Sequence, residues 1–124
     1  MHFDQRTQQA LRDVGLSRAE IREASDLVAE AVESDAERLQ DFFDRDVVHS
    51  DMEMAHSSGE IHEHDVEFVD LFTHGSDLRG YLRFATWGVP IEGGRVLSED
   101  VVELTLGPTV DDRVRFAADP DDLR

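Results

Sequence analysis

The sequence predicts an α+β domain, with two or three N-terminal helices packed on an antiparallel, meander-like β-sheet of about five or six strands. Three observations predict it. Apolar residues recur at helical spacing up to Arg45. Beyond Arg45 they recur at every second position, the period of a strand with one buried face. The later apolar stretches lie too close together to leave room for the helices that a parallel sheet needs between its strands.

The first helix is read from Phe3, Thr7, Ala10, Leu11 and Val14, with Gly15 placed to end it in a left-handed cap. Leu16-Ser17-Arg18-Ala19-Glu20-Ile21 then reads as a capping box, Ser17 at the N-cap and Glu20 at N3, flanked by an apolar staple. It predicts a second helix from Arg18 to about Val32 that buries Ile21, Ala24, Leu27, Val28 and Ala31. Ser34 and Glu37 repeat the pattern. They predict a third helix from Asp35 carrying Leu39, Phe42 and Phe43 inward, or a kinked continuation of the second.

Strands are expected at Val47–His56 and Glu60–Phe72, with even-numbered apolar residues inward, and at Tyr81–Ile91, with 76–80 either its first residues or a short helical turn. Glu92-Gly93-Gly94-Arg95 reads as a hairpin turn leading to Val96 and Leu97. Val101–Leu106 and Arg113–Ala117 close the chain as a further hairpin. The chain is expected to form one domain over 1–124, helical over 1–45 and sheet over 46–118, with 119–124 a frayed tail.

Composition bounds the environment. There are 29 Asp and Glu against 12 basic residues, all Arg, and the formal net charge is −17. In dilute salt such a fold repels itself, whereas molar salt cuts the screening length to about 3 Å. Arginine without lysine fits concentrated salt as well, because the weakly hydrated guanidinium pairs bidentately with carboxylates. A halophile's cytoplasm is therefore the expected setting. The N-terminal stretch MHFDQRTQQALRDVG has no basic segment followed by an apolar one, and no apolar run approaches the roughly 18 residues of a membrane span. Neither membrane nor nucleic acid is expected as a partner, since phosphate-backbone binding relies on counterion release that molar salt removes. With no Cys, disulfides, thiol nucleophiles and Cys-ligated metals are excluded.

The densest chemistry lies in HSSGEIHEHD. Residues 47–74 hold seven acids, five of the six His and no Arg. Keeping even positions on one face requires paired residue numbers that sum to an even value. A Ser57-Ser58-Gly59 loop satisfies this, setting Met54 opposite His62 and Met52 opposite His64. Met52, Met54, His56, His62 and His64 then share one face. His-x-His on a strand spaces the two Cα atoms by about 6.5–7 Å, close enough for both rings to reach one ion. His62 and His64, with His56 as third ligand, would hold a divalent transition metal and leave one position open, and the two thioethers would favour a softer ion. The same side chains can instead simply fill the rim of a core. Arg79, Arg83, Arg113 and Arg115 are a second candidate set, for an anion on a sheet face.

GYLRFATWGV and VVELTLGPTVDDRVRFA give the chain its resemblance to small haloarchaeal proteins of unknown function, a resemblance that implies no activity. LQDFFDRDVVHSD, helix end into strand, resembles nuclear-transport-factor-2-like and polyketide-cyclase-like cone folds. That resemblance implies helices capping a curved sheet around a pocket, here near Phe68, Tyr81, Trp87 and the His residues.

Three functions are therefore open: a noncatalytic binding or assembly module, homodimeric through a sheet edge or face; a metal-binding protein or metalloenzyme; and a cone-fold small-molecule-binding domain. The charge makes its own prediction. Lowering salt from molar to tens of millimolar is expected to reduce the unfolding midpoint in thermal denaturation, and undiminished stability at low salt would remove the halophile reading.

Overall fold

The computed structural model describes residues 2–52, 61–107 and 113–124. Two helices, α1 (Gln5–Asp13) and α2 (Arg18–Phe42), precede six antiparallel strands: β1 (Val47–Ser50), β2 (His62–His74), β3 (Asp77–Phe84), β4 (Gly88–Val96), β5 (Val101–Leu106) and β6 (Arg113–Ala117). Each strand pairs with its sequence neighbour, and β6 returns to pair with β1. The expected meander is thus closed into a barrel, and no free sheet edge remains for a partner strand among the described residues.

The helix signals act as their chemistry dictates. Asp4 caps α1 by accepting from the Thr7 N–H at 2.7 Å. Gly15, at φ 102°, ends it in a Schellman arrangement, with Leu16 N donating to Leu11 O and Gly15 N to Arg12 O. Ser17 and Glu20 form the reciprocal capping box that starts α2. Ser34 and Asp35 start no third helix. They lie inside α2, which runs unbroken for 25 residues because apolar contact continues through Val32, Ala36 and Leu39. Its buried stripe is Ile21, Ser25, Ala29, Leu39 and Phe42, whereas Leu27 and Ala31, expected inward, face solvent. Ser25 tolerates burial because its hydroxyl accepts from the His2 N–H at 2.7 Å.

Three expectations are corrected. The predicted strand Tyr81–Ile91 is two strands, turning at 85–87, where Phe84 N donates to Trp87 O. Of the two readings of 76–80 the strand holds, since Asp77–Gly80 open β3. Gly75 and Ser76 make a two-residue hairpin between His74 and Asp77, with positive φ at Gly75 alone, the pattern of a type II′ turn. Gly93 and Gly94 are not a turn but part of β4. A bulge between Ile91 and Gly93 leaves Glu92 as the extra residue, and Gly94 faces Leu104. The tail does not fray: Pro120–Leu123 forms a 3-10 turn capped by Asp119, with Leu123 buried.

The core is one cluster. Leu39, Phe42 and Phe43 from the end of α2 pack with inward-facing residues of all six strands, among them Val48, Val69, Leu82, Ile91, Leu104 and Phe116. Phe43 meets Phe116 edge-on at 5.3 Å. Gln40 ties the helix to the sheet by donating to Val69 O at 2.7 Å.

Gly94 sets how closely α2 approaches. A Cβ there would lie 2.8 Å from Leu104 Cδ2 and 3.1 Å from Leu39 Cδ1, both in fully buried side chains. Gly94→Val is therefore expected to destabilise the fold by about 1–3 kcal/mol through overpacking, measured by denaturant unfolding.

Candidate functional site

β1 fixes the centre of the barrel. Val48 pairs with His64 and Ser50 with His62, so the even-sum parity of the expected register holds but its offset does not. His62 faces Ser50 rather than Met54, four residues earlier. The reason is the second partner of β1. After Ser50 the chain turns to β6: Asp51 N donates to Arg115 O, and the Asp51 carboxylate accepts from Arg115 N and Arg115 Nε, both at 2.8 Å. The link between β1 and β2 is accordingly long, spanning 51–61, and the expected Ser57-Ser58-Gly59 turn, with Met54 and His56, lies outside the described residues.

Inside the barrel, Ser50 and His64 form a buried polar pair, 0% and 7% exposed, with Ser50 Oγ 2.7 Å from His64 Nε2. The Met52 N–H also donates to Ser50 Oγ, at 3.4 Å. His64 stacks on Phe84 at 4.6 Å between ring centroids, with Trp87 edge-on at 6.3 Å. Burial in this aromatic surround pushes its pKa down from 6.5 to about 4, and the charges of His62 and His49 push the same way. The shift favours the neutral ring of His64. The pair has the spacing of a nucleophile and its base, and with the hydroxyl fully buried the contact satisfies two polar groups in an apolar core.

His62 shares the β2 side of His64 and is only half-buried. His49, on the other side of β1, lies 3.2 Å by Nδ1 from Ala118 O and 3.7 Å by Nε2 from Glu63. Among the described residues no group of three or more His, Cys, Asp or Glu is arranged to hold a metal ion. Of the three expected ligands, His62 and His64 are adjacent on one strand face, with the Nε2 of His64 already engaged.

Phe68, Tyr81 and Trp87, expected to line one interior pocket, are divided. Only Trp87 lies by His64. A bulge between Val66 and Phe68 inserts Glu67, and the strand changes face there: Val66 points in, then Val69 and Leu71, while Phe68 and Phe72 point out. Phe68 pairs with Arg83, Asp70 with Tyr81 and Phe72 with Arg79, so these six residues share the outer face of β2 and β3. Phe68, Phe72 and Tyr81 are 45%, 64% and 39% exposed. Tyr81 lies over Gly88, where any Cβ would overlap its ring. The arginines are not gathered either. Arg83 pairs with Glu67 at 3.5 Å and Arg115 with Asp51 at 2.8 Å, on different strands of the barrel.

Sequence reasoning passed over Ser50. The available signal was its even position in β1, which put a small hydroxyl on the inward face beside an inward histidine.

The architecture is that of an antiparallel barrel fed by one long helix, its interior filled by side chains. The chain belongs to a family of unknown function (DUF7532), which matches residues 1–121. Among curated proteins and solved structures nothing matches it. No described helix is long and apolar enough to cross a membrane.

The depressed pKa of His64 fixes a pH dependence. The unfolded chain binds the histidine proton near pH 6.5 and the folded chain only near 4. The stabilisation from the neutral ring is therefore complete above pH 6.5 and is lost as pH falls from there towards 4. His64→Gln keeps an acceptor for Ser50 but does not titrate. Its stability relative to wild type is expected to improve over that interval in denaturant unfolding, and a constant difference would remove this assignment.

Proposed function

We propose that this chain is a noncatalytic assembly module of a halophile's cytoplasm, pairing with a second copy of itself through the outer face of β2 and β3. One observation carries the reading: among the described residues the exposed Phe, Tyr and Trp side chains are Phe68, Phe72 and Tyr81, and all three lie on that face. Aromatics interleaved with arginine are the composition of an interface centre rather than of ordinary surface.

Charge favours a second copy over another partner. Arg79, Asp70 and Asp77 form no ion pair among the described residues, although all three lie in the two adjacent strands. A two-fold contact sets each patch against itself, so the arginine of one copy meets the carboxylates of the other. The excess of acid and the absence of lysine support the concentrated-salt setting, in which repulsion between two such acidic copies is screened.

Metal binding by His56, His62 and His64 is the competing reading, resting on the His-x-His spacing alone. Sedimentation equilibrium in molar salt is expected to give twice the chain mass for wild type and the single chain mass for Phe68→Ser/Phe72→Ser, with thermal stability of the dissociated chain preserved. A monomeric wild type would remove the assembly reading. Stoichiometric zinc, copper or iron in untagged protein would turn attention to the histidines.

A further inference from the structure

The helical pair carries a second feature, remote from the barrel face. A groove of about 330 Å³ between α1 and the first turns of α2 is lined by Gln5, Gln8, Arg12, Arg18, Ile21 and Arg22. Three guanidinium groups and two amides face it, and no carboxylate does, in a chain where acids outnumber arginines 29 to 12. The clefts at Arg38 and Arg45 and at Arg95 and Arg113 are different, since Asp41 and Glu99 line the first and Glu103 the second.

Of the acids near in sequence, Glu23 lies beside Arg22 but does not line the groove, and Asp4 caps α1. Glu20 accepts from the Ser17 N–H at 2.9 Å, Asp13 from Gln9 at 2.8 Å, and Asp26 faces His2 at 3.7 Å. Arg12 donates to Gln9 Oε1 at 3.1 Å, leaving the rest of its fork unused, and Arg18 and Arg22 take part in no ion pair among the described residues.

This arrangement works against the fold that holds it. Arg18 and Arg22 are like charges at i and i+4, which repel. Both also sit at the N-terminal end of a 25-residue helix, where the macrodipole disfavours cations. A bound anion would offset both costs. The support is rigid: the Gly15 termination and the Ser17 capping box fix the short link between the helices, and Ile21 is buried at the groove floor.

We propose that this groove binds a phosphoryl group, held by Arg12, Arg18 and Arg22. Guanidinium forks match pairs of phosphoryl oxygens, so recognition rests on directed bidentate hydrogen bonds and discriminates against chloride, which offers no such pair. The group can belong to free inorganic phosphate or to a small phosphate monoester.

The test follows the arginine Nε–H signals by NMR in molar potassium chloride while inorganic phosphate, and separately ribose 5-phosphate, is added. Saturable shifts confined to Arg12, Arg18 and Arg22, with the ion-paired Arg95 and Arg124 unmoved, are the expected result, and the tighter probe identifies the source. In Arg18→Gln/Arg22→Gln the affinity is expected to fall at least tenfold, while the ligand-free variant melts at or above the wild-type temperature, because a repulsion has been removed. No shift with either probe, equal shifts at all exposed arginines, or a destabilised variant would overturn the proposal.

Discussion

The structure depends on the double pairing of β1. Four residues must meet β2 on one side and β6 on the other, and this closure turns a meander with two bare edges into a barrel with none among the described strands. The backbone ladder to β6 consists of only two residue pairs, His49 with Ala117 and Ser50 with Phe116. The Asp51 carboxylate extends it by accepting from the backbone and side chain of Arg115. Because β1 is held from both sides, its inward residues have no freedom of register. Ser50 is placed against His64, so this buried imidazole has a hydroxyl partner.

The two bulges perform related tasks. Each inserts a glutamate, Glu67 in β2 and Glu92 in β4, and each reverses which alternate positions face the core. In β2 this turns Phe68 and Phe72 outward and builds the aromatic face. In β4 it brings Gly94 under Leu39, so that α2 can rest against the sheet and deliver Phe42 and Phe43 to the core. Packing of the helix and exposure of the aromatic face thus stem from the same local device.

Local chemistry was legible in the sequence where one side chain or one backbone angle decided the outcome. The Ser17 and Glu20 capping box, the Gly15 termination, the β5–β6 hairpin and the parity of β1 against β2 all belong to that class. Non-local competition was not legible. The register of β1 answers to β6 as well as to β2, and β6 lies more than sixty residues from β1 in sequence, so a turn chosen from Ser57-Ser58-Gly59 alone set the wrong offset. A bulge leaves no trace in an alternating pattern except a change of phase. Phe68 was therefore assigned inward and the exposed face went unrecognised. Gly93-Gly94 has the composition of a turn, and only the nearness of Leu39 and Leu104 shows that it is a place of close approach. The candidate metal ligands were legible as a pattern, but the engagement of His64 with Ser50 required the barrel.

The closing seam also has a meaning in time. The other strand pairs join neighbours in sequence, so apart from the link at 51–61 their loops are short and the entropy of bringing the ends together is small. The contact between His49 and Ala117 instead encloses almost the whole sheet. Low contact order governs most of the molecule and high contact order this one junction. On a ribosome the hairpins can therefore assemble as they emerge, whereas closure must wait for the last strand. Until it arrives, β1 has an unpaired edge, and the chain is at its most vulnerable to pairing with a neighbour.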